Sequence, residues 1–334
     1  MSNPIVSIIT PSYNRADIVH ETAESIFNQT YPDWEWVIVD DGSTDNSWEV
    51  LQKYTEQDSR VKLYKRKGEQ KGACVCRNQA VDVCNGKYLI FLDTDDILEP
   101  FCVENRVKTM EENPELDFGI YPSLLFSRKL HDLNLWWNID KPTPELLRQF
   151  YQDAICQGTG ILIKTESFNK LGQWDISLFL WQDIDLFLRA FIQGYKYKKF
   201  FDLPPDLHIR RLETSLSRGN FFDIKKQMSR ILVVKNAVKL LKEHNQQQYL
   251  PEAKYMVGEI ASGLIRSYRF DHAEELITWA HNEGVLSRKE YSLLQRLKFI
   301  YKLRLPRLGI GKKTVQDITK IFSCETTLGK LQYK

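Results

Sequence analysis

Residues 34–66 read "WEWVIVDDGSTDNSWEVLQKYTEQDSRVKLYKR". The apolar run 34–40 has the length and the aromatic, β-branched make-up of a buried strand. The Ser/Thr/Asp cluster behind it caps a helix that the spacing predicts over 43–54. The run 60–66 then reads as another strand. Strand, helix and strand joined by short connections form the unit of a parallel sheet.

The same rhythm extends on both sides. "IVSIIT" (5–10) reads as a strand, followed by a helical pattern over 17–29. Residues 72–84 predict a helix closed by Asn85-Gly86, and "KYLIFLD" (87–93) a strand. The fold class predicted is α/β, a doubly wound, mostly parallel sheet with helices on both faces. In such sheets ligands bind beyond the carboxyl ends of the strands. Past residue 114 the rhythm loosens. Residues 116–127 read as a strand pair or edge, 134–145 as an irregular aromatic loop, and 159–172 as a strand and short helix. An amphipathic helix over 181–195 ends at Gly194, ahead of a strand over 196–203. After about 220 only helical patterns remain, up to roughly 302. The expected division is 1–218 for the catalytic domain and 219–334 for a helical C-terminal domain with a basic tail.

A chain of 334 residues exceeds what one core usually serves, which supports two units. A net charge of +2 gives no reason to expect nucleic acid as a partner. The first residues lack the basic start and apolar core of a secretory signal, and no run approaches the ~20 apolar residues of a membrane span. The expected location is the cytoplasm, where the six cysteines are read as buried, reduced thiols. Between Arg288 and Lys313, nine Lys/Arg face one acid, Glu290. A solvated helix face is the simpler reading of that tail, and a peripheral contact with the inner face of the membrane is the alternative.

The chemistry gathers at "IFLDTDD" (90–96), where an apolar strand runs into three carboxylates. If the strand continues, Asp93 and Asp95 share one face and form an oxygen-rich site for Mn²⁺ or Mg²⁺. Asp96 and Glu99 fit a capping box. A second acidic pair, Asp40-Asp41, closes the strand 34–40 and suits hydrogen bonds from a nucleobase or ribose. "TPSYNR" (10–15) ends the first strand at the same edge, with Tyr13 free to stack on a base. Aromatic rings suit sugar faces. Trp181 is the preferred acceptor wall, with Trp174 and the Trp136-Trp137 pair as further candidates.

Four segments together resemble glycosyltransferase family 2: "VSIITPSYNR", "SIFNQTYPDWEWVIVDDGSTDNS", "GACVCRNQAVDVCNGKYLIFLDTDD" and "LGQWD…LWQDIDLFLRAFIQGY". The resemblance covers roughly residues 4–218. It implies the inverting GT-A fold, a nucleotide-diphospho-sugar donor, a divalent metal and an acceptor hydroxyl. By this resemblance Pro11 and Tyr13 line the nucleoside pocket, Asp41 reads the base and Arg77 faces the nucleotide. Asp93 and Thr94 lie at the donor, Asp95 holds the metal, and Asp183 is the general base. Two positions depart from the family pattern. Gln182 stands where an acid is usual, and Leu212 where a histidine often follows the arginines; the histidine nearby is His208.

Displacing a nucleoside diphosphate leaves negative charge on phosphate oxygens, which a cation, Arg77 and Lys71 can stabilise. The predicted function is therefore metal-dependent, inverting glycosyl transfer, UDP-sugar being the expected donor and a glycan, lipid-linked glycan or protein the acceptor. A nucleotidyltransferase would need a Gly-rich basic loop after the first strand, which "TPSYNRAD" is not. A non-catalytic binder of sugar nucleotides or glycans is kept open by Gln182.

Overall fold

The computed structural model describes residues 5–153, 155–211, 223–306, 309–324 and 330–333. Its first half runs β1 (Val6–Ser12), α1 (Val19–Phe27), β2 (Trp34–Asp40), α2 (Ser47–Gln57), β3 (Val61–Lys65), α3 (Ala73–Val81) and β4 (Tyr88–Phe91). Strands β1, β2 and β4 are buried along almost their whole length, as continuous apolar runs covered on both faces require, while edge strand β3 is buried only at Val61. Helix α2 starts later than its sequence suggests because Ser43 is engaged elsewhere: its hydroxyl donates to Asp40 and accepts the Asn14 amide. Gly86 is not a helix cap. Helix α3 ends five residues earlier, and a Cβ at Gly86 would lie 2.5 Å from the Ser7 nitrogen, so glycine permits a close backbone approach.

The chain continues through β5 (Ile97–Leu98), α4 (Cys102–Glu112), β6 (Phe118–Ile120), β7 (Ser123–Phe126), β8 (Leu135–Trp136), α5 (Glu145–Phe150), β9 (Ile161–Lys164), α6 (Thr165–Lys170), α7 (Gln182–Ile192), β10 (Tyr197–Lys199) and β11 (Leu207–Arg210). Seven strands form the main sheet in the order β10-β6-β9-β4-β1-β2-β3. All neighbours are parallel except β9, which runs antiparallel to β4 and β6. From β1 the chain winds outward to β2 and β3, then returns to place β4 on the other side of β1. The carboxyl ends of β1 and β4 thus flank a topological switch point, where such sheets open a crevice.

The strand pair expected over 116–127 is divided between two sheets. β6 lies in the main sheet, while β7 belongs to a smaller one ordered β5-β11-β7-β8. Buried Arg106 on α4 locks the two together. Its guanidinium donates to both Asp206 oxygens, at 2.8 and 2.6 Å, and to the carbonyls of Thr159 and Ile161.

The C-terminal region comprises α8 (Ile224–Glu243), a 3₁₀ turn (Gln247–Ala253), α9 (Lys254–Arg266), α10 (Phe270–Asn282), α11 (Arg288–Lys302) and α12 (Gly309–Phe322). The last helix was not foreseen, since Gly309 and Gly311 are poor helix formers. A Cβ at Gly311 would meet the Leu305 carbonyl at 2.3 Å, so that glycine admits the backbone before it. The boundary expected at 218/219 lies outside the described residues. Across it the apolar core is continuous: Phe150, Leu188 and Ile192 join Val234, Val257 and Leu264. No described helix is long and apolar enough to cross a membrane. Near the chain end, Gln332 bridges to Leu135 on the free edge of β8.

Candidate active site

The switch-point crevice collects the predicted site residues from separate elements. At the end of β1, Pro11 lies past the last residue paired with β4, where its missing N–H removes no ladder bond. Tyr13 is 48% exposed, an aromatic face open to a partner. Asn14 adopts a left-handed conformation and accepts the Thr44 amide at 2.8 Å, pinning this turn to the loop after β2.

In that loop the two aspartates divide their work. Asp40 is buried and closes an Asx turn, accepting the amides of Gly42 and Ser43 at 3.0 and 2.9 Å. Asp41 accepts Arg66 Nε at 2.6 Å and the Gly72 amide at 2.9 Å. It therefore ties the ends of β2 and β3 to the start of α3, a role its sequence context did not show. A carboxylate has about four lone-pair sites, so two remain for a further donor.

The acidic stretch departs from its expected geometry. Strand β4 stops at Phe91, and residues 93–96 make a turn closed by the Asp96 amide on the Asp93 carbonyl at 3.2 Å. Asp93 pairs with Arg77 Nη2 at 2.5 Å, so one of the two expected cation ligands already has an internal arginine. Thr94, expected at the donor, is buried inside the turn and offers it little surface. The capping box over 96–99 does not form, because β5 occupies those residues and α4 begins only at Cys102. Asp96 instead accepts the Arg210 amide at 3.0 Å, and Glu99 bonds His208 at 2.6 Å.

Asp95 stands apart. Among the described residues its own backbone amide is the one donor to its carboxylate, and no side chain donates to it. Burial and the Asp93 charge push its pKa up to about 6, against weaker pulls from Arg15 and Arg210. Asp96 is driven well above the ordinary carboxylate range by burial and by both neighbours. Three acids with so few donors make a turn short of positive charge, which fits a cation at Asp95.

Arg77 connects this turn to α7. Burial opposes its charge, but Asp93 and Asp183 keep it firmly protonated. Asp183, in the first turn of α7, accepts the Gly158 amide at 2.7 Å. Burial raises its pKa, while Arg77 and that amide pull it back; desolvation outweighs the helix dipole expected to keep it ionised. Asp185 is engaged otherwise, ion-paired to Arg189 at 2.8 Å. Trp181 caps α7 in a left-handed conformation, φ 65°, that a bulky side chain rarely adopts. Such strain concentrates at functional sites. Its half-buried ring carries the Arg230 guanidinium at 5.2 Å. Trp174 is not an acceptor wall. It is 2% exposed, packs edge-on against Phe91 and backs the Arg77 guanidinium at 5.1 Å. The Gln182 amide turns back to the Leu178 carbonyl at 2.9 Å.

Residues 7–172 match the family model described as glycosyl transferase family 2. That match takes in 166 of the 334 residues, just under half of the chain. It is 41% identical over 109 residues to the putative teichuronic acid biosynthesis glycosyltransferase TuaG of Bacillus subtilis, a match covering 33% of this chain and 43% of that protein. It is 39% identical over 107 residues to the UDP-Glc:alpha-D-GlcNAc-diphosphoundecaprenol beta-1,3-glucosyltransferase WfaP of Escherichia coli, covering 32% and 41%. The chain thus spans less than half the length of these two relatives. Among solved structures, S. aureus TarS in complex with UDP-GlcNAc superposes with a TM-score of 0.59 at 16% identity, over 90% of this chain and 92% of that one. The likeness is one of fold, and the fold is of the GT-A type that the motifs implied.

Arg15, inside the matched residues, and Arg210, beyond them, are the basic residues that the sequence reading passed over. Both act on Asp95 electrostatically, and Arg210 Nε also donates to the Asp95 carbonyl at 3.0 Å. Arg15 sits inside "TPSYNR", where its place at the crevice could have been noticed. Lys71, expected to help, is exposed. Asp183 and Trp181 lie beyond the matched residues, and Leu212 lies outside the described ones. Cys74 and Cys76 are buried, with burial pushing both thiols up to about 12, as packing residues should be.

Proposed function

We propose that the protein is an inverting glycosyltransferase that moves a sugar from a UDP-sugar to a hydroxyl of a surface-polysaccharide or lipid-linked glycan acceptor. The observation that carries this reading is Asp95, a deeply set carboxylate with no side-chain donor among the described residues, at the switch point of the sheet beside the linked set Asp93, Arg77 and Asp183. The named relatives, one of teichuronic acid biosynthesis and one using UDP-Glc with a diphosphoundecaprenol-linked acceptor, support the donor and acceptor classes. Asp95 would hold Mn²⁺ or Mg²⁺, which supplies positive charge to the leaving diphosphate. Tyr13 offers its exposed ring to the base and Asp41 its remaining lone pairs. Arg77 and Arg15 add fixed positive charge where the diphosphate develops its own negative charge. Asp183 takes the proton of the acceptor hydroxyl, and its raised pKa makes it a stronger base near neutral pH. Trp181 presents the aromatic face for the acceptor sugar.

The test is product analysis with UDP-sugars, Mn²⁺ and a polyprenyl-diphosphate-linked acceptor. Acceptor-dependent release of UDP is the expected outcome. Pyrophosphate release would point to nucleotidyl transfer, and binding without turnover to a binding protein.

The basic tail supports a place at the inner face of the membrane. Helix α11 buries Leu294, Leu297 and Ile300 yet leaves Phe299 60% exposed, and Leu303, Leu305 and Ile310 are exposed beside it. Arg304, Lys312 and Lys313, close to them in sequence, are exposed as well, a pairing of apolar anchors with cations that suits anionic lipid. Deleting 288–334 is a poor test, because Leu294, Leu297, Ile318 and Phe322 belong to the helical core. Arg304→Glu/Lys312→Glu/Lys313→Glu keeps that core. It should lower partitioning onto phosphatidylserine vesicles by more than tenfold, at about 1 kcal/mol per surface cation. Unchanged partitioning would leave a solvated face.

A further inference from the structure

We infer that Glu99, His131 and His208 form a second cation site, separate from the acidic turn, for a divalent transition ion of the zinc class. Three segments distant in sequence build it. Glu99 follows β5, and His208 lies on β11, the strand antiparallel to β5 in the small sheet. His131 lies in the connection between β7 and β8. One ligand atom from each residue falls within 4.8 Å of the other two.

A simple ion pair accounts for only part of this arrangement. Glu99 Oε1 and His208 Nε2 are 2.6 Å apart, and His208 is 1% exposed. His131 adds a second imidazole, its ring perpendicular to that of His208 with centroids 5.0 Å apart. The backbone that brings it there is left-handed, φ 66°. Asp132 holds this turn by accepting the amides of Ser127 and Arg128, each at 2.7 Å, and of Lys129 at 3.2 Å. A cation between the imidazoles and the carboxylate would replace the proton shared by Glu99 and His208. His131 is exposed, which leaves an entry path from solvent.

The ligand chemistry distinguishes the two sites. Asp95 offers oxygen alone, suited to Mg²⁺ or Mn²⁺, whereas two imidazoles and one carboxylate suit Zn²⁺, Co²⁺ or Ni²⁺ and leave a fourth position open. Such an ion would fasten the connection after β7, which leads to Trp136 and Trp137, onto the small sheet. Strand β11 continues from His208 to Arg210, which binds the acidic turn through Asp95 and Asp96.

The experiment is a Co²⁺ titration of the metal-free full chain, read from the visible d–d absorption of nitrogen-ligated, low-coordinate Co²⁺. Saturation near one equivalent is expected. His131→Ala, a change at an exposed position, should weaken Co²⁺ binding by more than about tenfold, since even outer-shell losses at metal sites reach that size. Asp95→Asn should leave the band intact. No band in the wild type, or a band unchanged in His131→Ala, would overturn the proposal.

Discussion

Asp183→Asn is expected to retain UDP-sugar binding and to lose transfer by roughly 10²–10⁴-fold, the range that a positioned general base contributes. Asparagine keeps the side-chain oxygen that accepts the Gly158 amide at 2.7 Å, so the first turn of α7 keeps its anchor. What disappears is the basic lone pair. Burial raises the Asp183 pKa, so the wild-type rate should climb as pH rises through that shifted value and the carboxylate deprotonates. The variant should lack that limb. Acceptor-dependent UDP release across pH, with a parallel UDP titration, reads both effects. Near-normal turnover would move the base elsewhere. Asp185 is a weak substitute, because its ion pair with Arg189 occupies it structurally.

Asp95→Asn should remove cation-linked donor binding and, without metal, make the fold more stable. The sign follows from protons. The Asp95 carboxyl titrates near 6 in the folded chain and near 3.8 when unperturbed. Between those values the folded chain holds a proton that the unfolded chain has released, so metal-free stability falls as pH rises across the window. At pH 7 the ionised group is a liability that a cation relieves and asparagine removes. A rise in melting temperature of about 1–3 °C is expected in the metal-free variant. Wild-type Mn²⁺ affinity should weaken below about pH 6, where protons compete for the same oxygens. A variant less stable than wild type at pH 7 would mean that Asp95 serves the fold rather than a cation.

The centre of the main sheet was legible because its inner strands are buried on both faces and therefore appear as plain apolar runs, as in Trp34–Asp40. The acidic turn was legible as an oddity, three carboxylates with no base nearby in sequence. Its internal division was not. Arg77 lies on α3, 16 residues from Asp93, and only the packing of that helix shows that Asp93 is paired, while Asp95 has no ion pair among the described residues. The capping box at 96–99 failed because β5 gains a partner in β11, more than a hundred residues away, and that pairing outweighs a local preference. Trp174 illustrates the same limit: a tryptophan beside a loop motif can face a ligand or support an arginine from behind, and the sequence reads alike for both. Glu99, His131 and His208 share no spacing at all. Their meeting depends on β5, β7 and β11 forming a second sheet.

If Asp95 brings a cation to the donor diphosphate, metal and donor must bind together. Calorimetric titration of UDP into the full chain, with and without Mn²⁺, for the wild type and Asp95→Asn, tests it most directly. Wild-type affinity should rise with Mn²⁺ and variant affinity should be indifferent to it. Equal enhancement by Mn²⁺ in both proteins would contradict it.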